Sequence, residues 1–136
     1  MTSVYLAGPL FTAAEMKFNK ELSEVLNKNG YQVFLPQEEC LDKNTEEIFY
    51  LCKAGVESAS AVVAIMDGAD ADSGTCWECG YAAAKNIPVI IVRTDIRDSG
   101  DTRGFNAMLY YSAAAVIEDR INYTEKILEA LKNVHA

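Results

Sequence analysis

Short apolar runs alternate with longer amphipathic stretches along the whole chain. Residues 3–7 (Ser-Val-Tyr-Leu-Ala) predict a strand that Gly8 and Pro9 end. From about Thr12 to Asn29, the residues Ala14, Phe18, Leu22, Val25 and Leu26 recur at helical spacing, and Gly30 stands where a glycine closes a helix. Tyr31 to Leu35 predicts a second strand, closed by Pro36. Asn44 and Glu47 make a capping box for a helix that turns Ile48, Leu51, Cys52, Gly55, Val56 and Ala59 inward. Ala61 to Met66 is uninterruptedly apolar and partly β-branched, the mark of a fully buried strand. A turn cluster holding Asp67, Asp70 and Asp72 with Gly68 and Gly74 follows. An Ala-rich helix then runs to about Lys85 and Asn86, with Glu78 in its first turn. Pro88 to Val92 predicts a fourth, central strand, Phe105 to Tyr111 a short helix, and Ala113 to Ile117 a fifth strand. Asn122 to Val134 predicts a last helix, with Ile121, Ile127, Leu128 and Leu131 inward. The polar segment Arg93 to Gly104 is long for a connection, which points to function or mobility.

Strands and helices in strict alternation, with near-continuous apolar strands, imply an α/β fold whose parallel sheet is covered on both faces. Five strands suit a doubly wound, flavodoxin- or Rossmann-like order 2-1-3-4-5, with its switch point between strands one and three. The loops leaving those strands are Gly8–Thr12 and Asp67–Thr75. Topology therefore predicts that Tyr5, Phe11 and Glu78 meet in one crevice.

Composition narrows the chemistry. A chain of 136 residues reads as one domain spanning 1–136, able to bury roughly 68% of its unfolded surface without disulfides. A net charge of −8 argues against nucleic acid as partner, because a phosphate backbone needs a basic face. No apolar run approaches a membrane span, and the N-terminus lacks a charged segment before an apolar core, so a cytoplasmic location is expected.

Cys76 and Cys79 form a C-x-x-C, the spacing of a thiol redox pair or half a zinc site. Zinc would need two further ligands. His135 lies near the terminus, and Cys40 and Cys52 do not have zinc spacing. The competing reading is of small apolar residues on an Ala-rich helix. The aspartates of the turn do not match an EF-hand, and no phosphate-cradling G-x-x-x-x-G-K-[ST] is present, so neither metal nor cofactor is expected.

Two readings of Glu78 stand on residue types alone. Thr75-x-x-Glu78 is itself a capping box, with Glu78 turned back to the Thr75 amide. Alternatively, a carboxylate facing the crevice is a nucleophile suited to an anomeric carbon, ionised with help from the helix N-terminus. Asp67, Asp70 and Asp72 are either acids and ligand contacts or ordinary turn residues. Gly8 lets a ligand approach backbone, and Phe11 is either core or an aromatic face for a planar ring.

Three blocks carry a family resemblance: Tyr5-Leu-Ala-Gly-Pro-Leu-Phe11, Asp67 through Glu78 to Gly80-Tyr81-Ala82, and Asn106-Ala-Met-Leu109. Together they closely resemble the nucleoside 2-deoxyribosyltransferase family over nearly the whole chain. The resemblance implies exchange of the nucleobase at C1′ of a 2′-deoxynucleoside, through a covalent deoxyribosyl-Glu78 with net retention. It implies that Asp72 contacts the base, that Tyr5 positions the nucleophile, and that Phe11 packs on the base. It further implies that Asn106 reaches the sugar 5′-hydroxyl of a neighbouring subunit, in a homodimer or larger assembly. Gln37, after Pro36, is a looser match for a base contact.

One position departs from the family. Its general-acid aspartate aligns with Cys52, and a thiol is a poor proton donor to a leaving base. Either Asp72 or Asp67 then supplies that proton, or Cys52 is core and the activity has drifted. The nearest rival is an N-glycosidase of deoxynucleoside 5′-monophosphates, a relative that resembles the chain at Glu78 but carries serines where Asp72 and Asn106 stand. Arg93, Arg97 and Arg103 suit phosphate, or else pair with Asp95, Asp98 and Asp101 as solvated loop charge. A thiol oxidoreductase using Cys76 and Cys79, which would need a depressed thiol pKa, and a non-catalytic nucleotide-binding module complete the alternatives.

Overall fold

The computed structural model describes residues 2–97, 102 and 104–135. Arg103, with Asp98, Gly100 and Asp101 of the same polar segment, lies outside the described residues. Five parallel strands, β1 (Ser3–Ala7), β2 (Gln32–Phe34), β3 (Ala61–Ile65), β4 (Val89–Arg93) and β5 (Ala115–Glu118), form one sheet in the order 2-1-3-4-5. The expected doubly wound architecture is therefore the observed one.

Strand alternation sorts the core into two layers. Val4 and Leu6 of β1 point to one face, where they join Leu22 and Leu26 of α1 (Ala13–Lys28) and Ile127 and Leu131 of α6 (Tyr123–Val134). Tyr5 and Ala7 point to the other face, against Val56 of α3 (Thr45–Glu57), Cys79 and Ala82 of α4 (Ser73–Ala84) and Leu109 of α5 (Ala107–Ser112). β3 is buried at every position, as its run of apolar residues requires. This parity of β1 decides the site, because it sends the Tyr5 side chain toward the helix that carries Glu78.

Several local expectations change. A short helix, α2 (Pro36–Glu39), follows β2 with Pro36 at its first turn, so Pro36 ends the strand by starting a helix. Ile121, expected inward, is 81% exposed, because it lies in the turn ahead of α6. Ala14 is exposed for a similar reason, sitting in the solvent-facing first turn of α1. The helix expected over 105–111 begins only after Asn106, whose side chain caps it by accepting from the Leu109 amide at 2.9 Å. The Asn44–Glu47 capping box is present, and a second one joins Thr12 and Glu15. No helix among the described residues is long and apolar enough to cross a membrane.

Arg93 is not part of a solvated loop. It is the last residue of β4, 2% exposed. Its guanidinium donates to the carbonyls of Met66 at 2.7 Å, Gly68 at 3.0 Å and Arg97 at 2.7 Å, tying the loops after β3 and β4 together. Gly104 packs so closely on it that a Cβ there would come within 2.6 Å of the Arg93 side chain. Arg97 in turn pairs with Asp95 at 2.5 Å. Arg93 thus joins two loops, whereas Arg97 is an exposed charge paired with Asp95 in its own loop, as the loop-charge reading expects.

Candidate active site

The switch-point crevice holds a cavity of about 530 Å³ between the loops after β1 and β3 and the α2–α3 segment. Gly8, Phe11, Gln37, Asp72 and Glu78 all line it, together with Cys40, Cys52 and a mostly apolar wall that includes Met16, Phe49 and Trp77. A volume of this size, apolar with a few convergent polar groups, suits a small planar ligand. Among the described residues, no lysine or arginine lines it.

Glu78 faces that cavity rather than its own backbone. Helix α4 begins at Ser73, and its cap is Asp72, whose Oδ2 accepts from the Thr75 amide at 3.1 Å and from the Thr75 hydroxyl at 3.2 Å. The Thr75–Glu78 capping box is therefore not formed. With the cap moved three residues upstream, Glu78 sits in the second turn, where the pull of the helix N-terminus has faded. Its carboxylate instead accepts a very short hydrogen bond from the Tyr5 hydroxyl.

Tyr5 reaches that carboxylate from below, out of the sheet. Its ring is fully buried and stacked on Phe34 of the neighbouring strand, centroids 5.1 Å apart and 15° from coplanar. Phe34 lies flat on Gly55 of α3, where any Cβ would meet the ring at 3.0 Å. Gly55, Phe34 and Tyr5 thus form a rigid stack that fixes the hydroxyl beneath Glu78. Burial, and then the adjacent charge of Glu78, push the phenol far above its ordinary pKa, so it serves as a permanent donor.

The electrostatics of Glu78 run opposite to the expectation from the helix end. Burial raises its pKa to about 7, Tyr5 opposes that by donating to the carboxylate, and the charge of Asp72 adds to the rise. Desolvation wins over a single hydrogen bond. A carboxylate so held is short of donors, and it is more reactive for that reason.

The other expected residues divide between cavity and frame. Phe11 is 72% exposed at the cavity rim, its amide held by Glu15 at 3.1 Å. Gln37 is oriented from α1: its amide donates to the Met16 carbonyl at 2.8 Å and accepts from Asn19 at 3.2 Å. Gly8 lines the cavity and packs closely on Ile65, where a Cβ would stand 3.1 Å from that side chain. Asp67 lies away from the cavity and accepts from the Thr94 amide, the Thr94 hydroxyl and the Asp95 amide. Asn106 caps α5 and does not line the cavity of its own chain.

Cys52, aligned above with a proton donor, faces the cavity and brings its sulfur to 3.6 Å from that of Cys40. Sequence reasoning missed the aromatic rim of Phe49 and Trp77, whose rings meet edge to face at 5.6 Å. Their signal was the exposed aromatics Phe49 and Trp77 on facing helices, where contact depends on how α3 and α4 pack. The C-x-x-C lacks the depressed thiol pKa that a catalytic thiol oxidoreductase would need: burial pushes Cys79 up to about 12, and burial with Asp70 and Asp72 raises Cys76. No cluster of three or more metal-ligating side chains occurs among the described residues.

Comparison with known proteins bears on this geometry. The 2-deoxyribosyltransferase of Bacillus psychrosaccharolyticus superposes with a TM-score of 0.76 at 25% identity, covering 90% of each chain. The Leishmania mexicana 2-desoxiribosyltransferase shares the fold with a TM-score of 0.76 at 18% identity, over 94% of this chain and 97% of that one. The Clostridium botulinum CMP N-glycosidase shares it at 0.65 and 20% identity, over 93% and 98%. No curated protein sequence matches significantly. The sequence profile of nucleoside 2-deoxyribosyltransferases matches residues 4–132, and with that match across almost the full length the chain belongs to the nucleoside 2-deoxyribosyltransferase family.

Proposed function

We propose that this protein exchanges the nucleobase of a 2′-deoxynucleoside through a covalent deoxyribosyl-Glu78 intermediate, with retention at C1′. The single observation that carries the reading is Glu78 itself, facing a cavity of about 530 Å³ with Tyr5 as its donor in place of its own helix amide. The carboxylate attacks C1′ as the bond to the base nitrogen breaks. The departing base takes a proton, and a second base later attacks from the opposite side and releases Glu78.

Asp72 contacts the base, and relays to the leaving nitrogen a proton taken from solvent. Its Oδ2 is held by Thr75 while the side chain lines the cavity, and the other candidate, Asp67, is bound into the loop after β4. Phe11 and Gln37 take the base, the first by its exposed face and the second by its fixed amide. Asn106 reaches the sugar 5′-hydroxyl of a neighbouring copy in a homodimer, which agrees with its absence from the cavity of its own chain.

The rival, hydrolysis of a deoxynucleoside 5′-monophosphate, is disfavoured by a cavity lining that holds no lysine or arginine among the described residues and by the engagement of Arg93 and Arg97 in loop contacts. Incubation with a 2-fluoro-2-deoxynucleoside should leave a sugar adduct on the peptide containing Glu78. An unmodified Glu78 peptide, or base release only from the 5′-monophosphate and without need of an acceptor base, overturns the proposal.

A further inference from the structure

The four free thiols pair differently from their order in the chain. Cys79 of the C-x-x-C is 2% exposed, and the Cys76 thiol points back to the Ala71 carbonyl at 3.9 Å. Cys40 and Cys52, on different elements, bring their sulfurs to 3.6 Å. Both line the cavity, so a small oxidant reaches them by the same route as a substrate.

A disulfide needs its sulfurs at about 2.05 Å, leaving roughly 1.5 Å to close. The supporting elements differ in how easily they give. Cys52 sits within the thirteen-residue α3, capped at its start by Asn44. Cys40 ends the four-residue α2, and an exposed turn follows, with Leu41 68% exposed and Asp42 at a left-handed φ of 61°. A small shift of α2 toward α3 is enough.

We propose that Cys40 and Cys52 form a reversible oxidation site in the cavity wall, closing to a disulfide when a hydroperoxide enters and shutting the cavity. The Cys52 sulfur attacks the peroxide oxygen, the O–O bond breaks, and a sulfenic acid forms as the alcohol or water leaves with the displaced proton. The Cys40 sulfur then attacks that sulfenic sulfur, forming the S–S bond and releasing water. Two thiols are oxidised by two electrons and one peroxide is reduced. The bond ties α2, whose Pro36 and Gln37 line the cavity, to α3 across the wall that also carries Glu78.

Burial, and next the hydrogen bond with Cys52, push the Cys40 thiol up to about 12. Crosslinking is therefore slow near neutrality and quickens as pH rises, because the resolving thiol must ionise. The test treats the full chain with hydrogen peroxide and reads intact mass and a non-reducing peptide map. The expected result is loss of two hydrogens, a peptide joining Cys40 to Cys52, and full reversal by dithiothreitol. Cys76→Ser should still crosslink, while Cys40→Ser and Cys52→Ser should not. A Cys76–Cys79 bridge, stable oxidation of one thiol without a crosslink, or no change where the denatured chain oxidises overturns the site.

The shutting of the cavity rests on the base-exchange reading and is tested separately. Crosslinked protein should exchange bases roughly tenfold or more slowly, recovering on reduction. Unchanged exchange in fully crosslinked protein overturns that closure. Absence of exchange in the reduced protein counts against the functional reading and leaves the peptide map intact as evidence for the bridge.

Discussion

Glu78 and Asp67 are carboxylates of the same strand-to-helix passage, and their surroundings give them opposite tasks. Asp67 accepts from two backbone amides and a hydroxyl, which satisfies its oxygens and ties the loop after β3 to the loop after β4. Glu78 is half-buried beside a cavity with one phenolic donor, and desolvation lifts its pKa to about 7. A carboxylate surrounded by donors serves the frame. One with too few keeps unspent lone pairs, and it is free to act on a ligand.

The sharpest way to break this contrast is at Glu78. Glu78→Gln keeps the shape and removes the nucleophile, so base exchange should fall roughly a thousandfold or more, with no sugar adduct by mass spectrometry. A variant that still turns over near the wild-type rate would move the reaction elsewhere.

Tyr5→Phe tests the donor. A hydrogen bond to a charged group contributes about 1.5–3 kcal/mol, so kcat/KM should fall on the order of ten- to a hundredfold. The pH profile adds a readout that packing alone would not move. Glu78 must be ionised to attack, so activity is lost as pH falls through about 7. Tyr5 lowers that pKa by donating to the carboxylate, and its loss should move the acidic limb to higher pH. A limb that stays in place would mean that the phenol does not tune the carboxylate.

Asp67→Ala should act on the frame. Stranding the Thr94 and Asp95 amides costs about 1–3 kcal/mol, read as a lower midpoint in chemical denaturation. The acidic limb should stay where it is, and a limb that moved would place Asp67 in the chemistry. The smallest effect is expected from Cys76→Ser. Its thiol makes only a long contact to Ala71, and turnover should remain close to wild type.

The architecture was legible because it follows from periodicity. Ala61 to Met66 could be stable only as a strand covered on both faces, and alternation with amphipathic helices left a doubly wound parallel sheet as the solution. The crevice followed from strand order. Tyr5, Gly8, Phe11, Gln37, Asp72 and Glu78 come together there, whereas Asp67 and Asn106 stand apart from it. Chain order could not separate Asp67 from Asp72, since both are aspartates in one turn. Which of them meets the loop after β4 depends on the position of Arg93, buried from a strand twenty-six residues beyond Asp67.

From its sequence alone, this chain determines its layers, the boundaries of its strands and longer helices to within a few residues, and the sheet edge at which its polar loops gather, while the short α2 escapes it. Hydrophobic periodicity and cap chemistry are local, and short-range order is enough to express them. Tertiary structure alone decided that Glu78 meets Tyr5 from the neighbouring strand layer and that Cys40 meets Cys52 across two helices. These outcomes turn on distances between elements far apart in the chain, and on how much water each group loses when those elements pack.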